Sequence, residues 1–297
     1  MFVLVTGGSG FIGSHVVDKL IEREYKVRVF DKQKPHQKGV EWCEGDLLND
    51  EEVLEACKDI EAIYHLGAIA DVNIALSHPE LCFHVNEIGT LNILKAAVAR
   101  EVDQIILAST TWVYGRAEGK VDENTPVPLP DHIYTKTKIG QEHLIVAWQK
   151  HYGLPYTILR YDIPYGPRMR SNMAIAIFVG KAIRKQPITV FGDGSQGRCF
   201  IYVEDLAEGN VAALRNAGKN EIFNIAGPKF ISINHVIDVL RENLGEIKVE
   251  PAPARPHDFK GIVVSIEKAK KLLRWEPKTS LEEGIKKYIQ HMRVQRT

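Results

Sequence analysis

Apolar residues early in the chain fall in short continuous runs, with helically spaced stretches between them. FVLVT (2–6), VRVFD (27–31), AIYHLGA (62–68), QIILAST (104–110) and PYTILRY (155–161) have strand length and composition. GSHVVDKLIERE (13–24), VNEIGTLNILKAAVARE (85–101) and YTKTKIGQEHLIVAWQKHYG (134–153) repeat apolar residues at helical intervals, the last ending on a glycine. Strands that are apolar throughout have both faces covered, and helices between them do the covering. The pattern therefore predicts an α/β fold built on a doubly wound parallel sheet.

From about residue 167 the pattern breaks up. GPRMRSN, FGDGSQGR and PAPARPHDF are loop-rich, basic segments separated by short helical stretches. They predict a smaller C-terminal α/β substrate domain over the carboxyl edge of the sheet, where such folds take ligands. The expected division is a dinucleotide-binding domain over 1–166, with segments near 198–216 returning to it, and mainly a substrate domain over 167–297.

Composition narrows the partners. With 44% apolar residues among 297, the chain can bury a large core, and 38 basic residues balance 38 acidic ones. That balance favours neither nucleic acid nor an anionic membrane. Cys43, Cys57, Cys82 and Cys199 form no CxxC pair and the histidines no HExxH spacing, so no metal site is expected and the thiols read as reduced. Met1 leads straight into FVLVTGG, and no apolar run approaches membrane-spanning length, so a cytoplasmic protein is expected.

VLVTGGSGFIGSH carries the first chemistry. It satisfies two glycine registers, Gly7-Gly10-Gly13 and Gly8-Gly10-Gly13, between a strand and a helix start. Such a turn lets backbone approach a pyrophosphate and aims a helix N-terminus at its charge. Asp31 ends the second strand, where a carboxylate accepts ribose hydroxyls and repels a 2′-phosphate, favouring NAD over NADP. Lys32 and Lys34 follow and leave a phosphate-tolerant site open. Asp46 in EGDLLND could reach the adenine end or stand in a plain surface turn.

LASTTWVYG (107–115) puts Ser109, Thr110 and Thr111 at a strand end with no carboxylate among them. Tyr134 and Lys138 follow four residues apart on one helix face. Making a phenol a base near pH 7 takes about three pKa units, or ~4 kcal/mol. A cation about 5 Å away supplies ~3 kcal/mol at an effective dielectric near 20. Lys138 together with an oxidised nicotinamide could provide that shift.

In this order, TGGSGFIGSH, HLGAIADV, VNEIGTLNIL, LASTTWVYG, YTKTK, RYDIPYGPR, FGDGSQGRCFIYVEDLA and ARPHD resemble the extended short-chain dehydrogenase/reductase family over nearly the whole chain. Within it the chain is similar to NAD-dependent nucleotide-sugar epimerases and dehydratases, nearest in pattern to those acting as 4-epimerases on UDP-hexoses. The resemblance implies a Rossmann-type fold, bound NAD, a nucleotide-sugar substrate and a homodimer joined through helices 85–101 and 134–153. It makes Tyr134 the catalytic base or acid, Lys138 the holder of the nicotinamide ribose and Thr110 the catalytic hydroxyl. Cofactor contacts would come from Gly7, Gly10, Phe11, Ile12, Gly13, Asp31, Asp46, Leu47, Leu66, Ala68, Tyr134 and Lys138. Substrate contacts would come from Thr110, Thr111, Tyr134, Val190, Phe191, Arg198, Arg255 and Asp258, the two arginines clamping the diphosphate.

Family dehydratases carry Asp-Glu after the hydroxyl, and decarboxylases a Glu at the second position. Here Thr111-Trp112 stands there, and neither side chain does a carboxylate's proton transfer. Transient oxidation and reduction at C4 needs no such pair, so a 4-epimerase is expected, with Trp112 packing under the loop. A dehydratase, decarboxylase or reductase drawing an acid from elsewhere is the alternative, and a non-catalytic NAD-binding sensor the remote one. Departures from the family pattern bear on the sugar pocket. Ile163 replaces the Asn of RYFNVYGPR, Cys199 the Asp after the phosphate arginine, and His257 a common Gly. Arg168 and Arg170 could meet a carboxylate or phosphate, or lie solvated.

Overall fold

The computed structural model describes residues 1–214, 218–254 and 260–294. Its centre is a seven-stranded, all-parallel sheet. In chain order the strands are β1 (Phe2–Thr6), β2 (Lys26–Asp31), β3 (Glu41–Glu44), β4 (Ala62–His65), β5 (Gln104–Thr110), β6 (Tyr156–Tyr161) and β7 (Glu221–Ile225). In space they run β7-β6-β5-β4-β1-β2-β3. The order reverses between β1 and β4, which opens a crevice at the carboxyl ends of those two strands. This is the Rossmann-type, doubly wound arrangement.

Alternate residues of β1 feed two cores. Val3 and Val5 pack with Val16, Val17 and Leu20 of α1 (Phe11–Ile21) on one face. Phe2 and Leu4 pack with Val53 of α2 (Asp50–Ala56), Ile93 and Leu94 of α3 (Gly89–Ala99) and Ile145 of α4 (Ile133–Tyr152) on the other. Each such side chain contributes roughly 1.5–3 kcal/mol on burial. α4 stops at Gly153, whose φ of +74° gives the left-handed exit that a Cβ would disfavour.

The second layer has its own core. α5 (Ala174–Ile183), α6 (Val203–Ala212), α7 (Ile233–Leu244) and α8 (Leu281–Val294) follow, with a short parallel pair of strands, Ile188–Phe191 and Val249–Ala252. Val179, Val190, Val236, Leu240 and Ile285 are buried together. α6 instead packs back against α1, joining the first face of the sheet through Leu206 and Val211. β7, drawn from residues 221–225, completes the sheet beyond β6, so the chain crosses between the layers more than once.

Candidate active site

The glycine turn lies at the crevice. Gly7 has a φ of +68°, and a Cβ there would lie 2.7 Å from the Gly67 amide nitrogen. A Cβ at Gly13 would sit 2.1 Å from the Gly7 carbonyl oxygen. Gly7-Gly10-Gly13 is thus the register that the turn requires, and Gly8 is crowded by Val29 instead. Gly10 caps α1, whose first backbone bond runs from Ser14 N to Gly10 O at 3.0 Å. The first-turn amides of Phe11, Ile12 and Gly13 precede that bond, the arrangement that receives a pyrophosphate. Asp31, at the end of β2, accepts from Ser9 N and Gln33 N, both at 3.0 Å, using one lone pair of each oxygen. Two further acceptor positions fit ribose hydroxyls.

Asp46 stands beside this pocket, but Lys32 holds its carboxylate at 2.6 Å and the Leu48 amide at 3.1 Å. Partial burial raises its pKa, yet the Lys32 hydrogen bond and charge and the Leu48 amide outweigh that and hold it low. The lysine left open for a 2′-phosphate therefore has a partner. Leu47 lies under Gly67 and Gly89, and Asn92 fixes its carbonyl at 2.9 Å. Leu66 and Ala68 flank Gly67 on the loop after β4.

A buried hydrogen-bond chain ties that loop to the glycine turn. The Thr90 hydroxyl donates to Asn86 O at 2.6 Å, so it accepts from His65 Nε2 at 2.8 Å and from Gln141 at 2.6 Å. His65 Nδ1 must then accept from the Thr6 hydroxyl at 2.8 Å, and Thr6 Oγ1 accepts the Gly67 amide at 3.1 Å. Burial first, and the Lys138 charge second, push His65 down to about 3 and keep it neutral.

At the end of β5 the three hydroxyls part ways. Ser109 donates to Glu142 Oε1 at 2.6 Å, and Arg160 grips the same carboxylate at 2.7 and 3.0 Å. Thr111 is 2% exposed and donates to Asp162 Oδ1 at 3.2 Å. Thr110 caps the following turn, accepting Trp112 N at 3.2 Å, and its hydroxyl bonds the Tyr134 phenol. The run that lacks an acid in sequence is thus flanked by two acids in space, each engaging a neighbour of Thr110. Thr111 was expected to touch substrate; its hydroxyl turns into the wall toward Asp162.

Tyr134 is partly exposed in the cavity wall, one turn before the buried Lys138 on α4. Burial pushes the phenol up to about 12, opposed by the charge of Arg170 and the Thr110 hydrogen bond. The sequence argument gave Lys138 a direct share in lowering it. Instead the Lys138 ammonium donates to Ala108 O at 2.9 Å, and burial lowers it to about 8 against the pull of Cys82 and Glu142. Trp112 is not beneath the loop either. Its ring meets Tyr134 edge-on, with centroids 6.4 Å apart, and lines the same cavity.

The cavity, about 820 Å³, runs from Phe11 and Ile12 past Thr110, Tyr134 and Ile163 to Val190, Phe191 and Arg198. Arg198 Nη1 donates to Gly197 O at 2.6 Å. Arg255, His257 and Asp258 lie outside the described residues. Arg168 bonds His15 and Asp18 of the α1 region and is not among the residues lining the cavity. Arg170 does line the cavity, 3.6 Å from Asp71. The two acidic wall residues escaped the sequence reading. Asp162 is one, signalled only by an acid in RYDIPYGPR where RYFNVYGPR has phenylalanine; Asp71, which Asn172 also holds at 2.7 Å, is the other.

The sequence model of the NAD dependent epimerase/dehydratase family matches residues 3–226. A UDP-glucose 4-epimerase of Thermotoga maritima, crystallised with UDP-glucose, superposes with a TM-score of 0.93 at 34% identity, covering 100% of both chains. A UDP-glucuronic acid 4-epimerase of Bacillus cereus, in complex with UDP-glucuronic acid and NAD, gives 0.92 at 31% identity, covering 99% of this chain and 100% of the other. A UDP-N-acetyl-alpha-D-glucosaminuronate decarboxylase of Bacillus cytotoxicus is 30% identical over 318 residues, 98% of this chain and 97% of its own. The chain belongs to the NAD dependent epimerase/dehydratase family.

Proposed function

We propose that this family member is an NAD-dependent nucleotide-sugar 4-epimerase that inverts C4 of a UDP-hexose. The observation that carries the reading is the turn after β5. Thr110 and Tyr134 share a hydrogen bond at the cavity wall, while Thr111 and Trp112 bring no carboxylate to the positions where elimination would need one.

The cofactor would lie on the Gly7-Gly10-Gly13 turn with its adenosine ribose on Asp31, and Lys138 would hold its nicotinamide ribose. Bound there, NAD supplies a positively charged ring and a reversible hydride acceptor for C4. Tyr134 takes the proton of the C4 hydroxyl, and Thr110 holds that oxygen through the change from alcohol to ketone. After the keto sugar has turned in the cavity, C4 would regain its hydrogen on the opposite face, and Tyr134 returns the proton to the same oxygen. Arg198 would hold the diphosphate, joined by Arg255, with Asp258 on the ribose, and Val190 and Phe191 would border the base. In the protein alone the phenol is protonated at neutral pH, so it becomes a base only as positive charge is brought to it.

Decarboxylation is the second reading, favoured by the similarity to the Bacillus cytotoxicus enzyme. Incubation with UDP-glucose and with UDP-glucuronate, followed by NMR of the products, separates the two. Interconversion of C4 epimers is expected; a UDP-pentose or a 4-keto-6-deoxy sugar would overturn the epimerase.

A homodimer and a cytoplasmic setting belong to the same proposal. A shallow groove along α4, lined by Ile139, Gly140, His143, Leu144 and Ala147, suits a helix pair from a second copy. The four cysteines form no disulfide, and no helix among the described residues is long and apolar enough to cross a membrane.

A further inference from the structure

Asp162 follows directly on β6 and is 4% exposed, yet it belongs to the wall of the substrate cavity beside Thr110, Tyr134 and Ile163. Its Oδ1 accepts the Thr111 hydroxyl at 3.2 Å and its Oδ2 the Cys199 amide at 2.9 Å, while its own amide donates to Ile225 O at 3.1 Å. Two distant segments therefore fix the carboxylate and a third its backbone, a single residue away from the holder of the reacting oxygen.

We infer that Asp162 determines specificity, its buried negative charge selecting an uncharged hexose over a hexuronate. This rests on the nucleotide-sugar reading and names the sugar class within it.

Charge counting in the cavity wall supports it. Among the described wall residues Arg170, Lys181 and Arg198 are cationic and Asp71 and Asp162 anionic, three minus two, a net of +1. Arg170 is further compensated by Asp71 at 3.6 Å and by Ala70 O at 3.4 Å. A nucleoside diphosphate brings two negative charges and already exceeds that balance. A uronate adds a third charge to a wall holding Asp162, and the apolar surface of Trp112 and Ile163 in that wall offers it no compensating polar group. Selectivity of this kind comes from the repulsive element, not only from attractive contacts.

The same charge can be removed without mutation. Burial pushes the Asp162 carboxyl up to about 6, opposed by the Cys199 amide, the Arg198 charge and the Thr111 hydroxyl. The groups facing it are Arg198 and the Cys199 thiol, which burial and Asp162 itself push up to about 12 and so keep neutral. Arg160 and Tyr114, on neighbouring elements, are bound to Glu142 and Asn224. A sugar carboxylate, like carboxyl groups generally, ionises near pH 3–4, well below Asp162. Below about pH 6 the wall charge is therefore neutralised while the uronate keeps its own.

The test is the ratio of kcat/KM for UDP-glucose to that for UDP-glucuronate, in the wild type and in Asp162→Asn, between about pH 5 and 8. At the upper end the ratio should favour UDP-glucose in the wild type and fall about tenfold in Asp162→Asn. It should fall similarly in the wild type toward the lower end and stay flat in the variant. Equal ratios in both proteins, or a flat wild-type profile, would overturn the inference. Should Asp162→Asn fail to fold, the wild-type profile decides alone. Turnover of neither substrate by the wild type would overturn the epimerase reading, and this inference with it.

Discussion

Tyr134 concentrates the residue-scale chemistry. A phenol held near pKa 12, bonded to Thr110 and edge-on to Trp112, is a poor base until a cation arrives. Tyr134→Phe should therefore lower kcat by about 10²–10⁴-fold, the range for loss of a positioned acid–base group. Substrate dissociation constants should change much less, which stopped-flow and equilibrium binding together would check. His65 and His15 set a second expectation. Burial pushes His15 down to about 4 and His65 to about 3, so both are neutral in the fold. Their folded pKa values lie below the unfolded value near 6.5. The stability they contribute is complete above about pH 6.5 and is lost as pH falls toward 4 for His15 and 3 for His65. Urea midpoints measured down this range should drop, and less steeply in His15→Asn. Tyr134 and Lys138 stand out in the sequence by type and helical spacing, and Thr110 by family resemblance alone. Asp162 does not, because its role comes from contacts with residues 111 and 199, far from it in the chain.

Elements explain which parts of the fold could be read beforehand. The five apolar runs quoted from the sequence correspond to the five inner strands, buried on both faces and therefore continuous in apolar residues. β3 and β7, which were not read, are the two edges of the sheet. EWCE in β3 keeps mostly exposed residues, so no apolar run marks it, and EIFNI in β7 lies beyond the point where the pattern breaks up. The seven-residue α2 is too short for a helical period to stand out. The glycine turn is legible because its demand is steric, although the choice between Gly7 and Gly8 needed the structure. Gly13→Ala would place a methyl 2.1 Å from the Gly7 carbonyl oxygen, backbone that cannot give way without moving the turn. NAD affinity in that variant should fall by more than about tenfold, or ~1.4 kcal/mol, by calorimetric titration. Unchanged affinity would mean that the dinucleotide does not lie on this turn.

At the scale of the whole molecule, two layers meet around one cavity. The sheet presents a cofactor crevice at its switch point, and the second layer supplies Val190, Phe191 and Arg198 opposite Thr110 and Tyr134. The groove on α4 shares no lining residue with that cavity, so pairing with a second copy there uses none of the cavity wall. Ala147→Glu should turn the proposed dimer into a monomer in sedimentation at micromolar protein; a wild-type monomer would refute the pairing. Within one protomer, the central claim is that C4 loses and regains its own hydrogen while Tyr134 moves only the hydroxyl proton. UDP-glucose labelled with deuterium at C4, turned over in ordinary water and read by NMR, tests it most directly. The deuterium is expected to remain at C4 in the UDP-galactose formed; exchange of that label with solvent, or a product unchanged at C4, would contradict it.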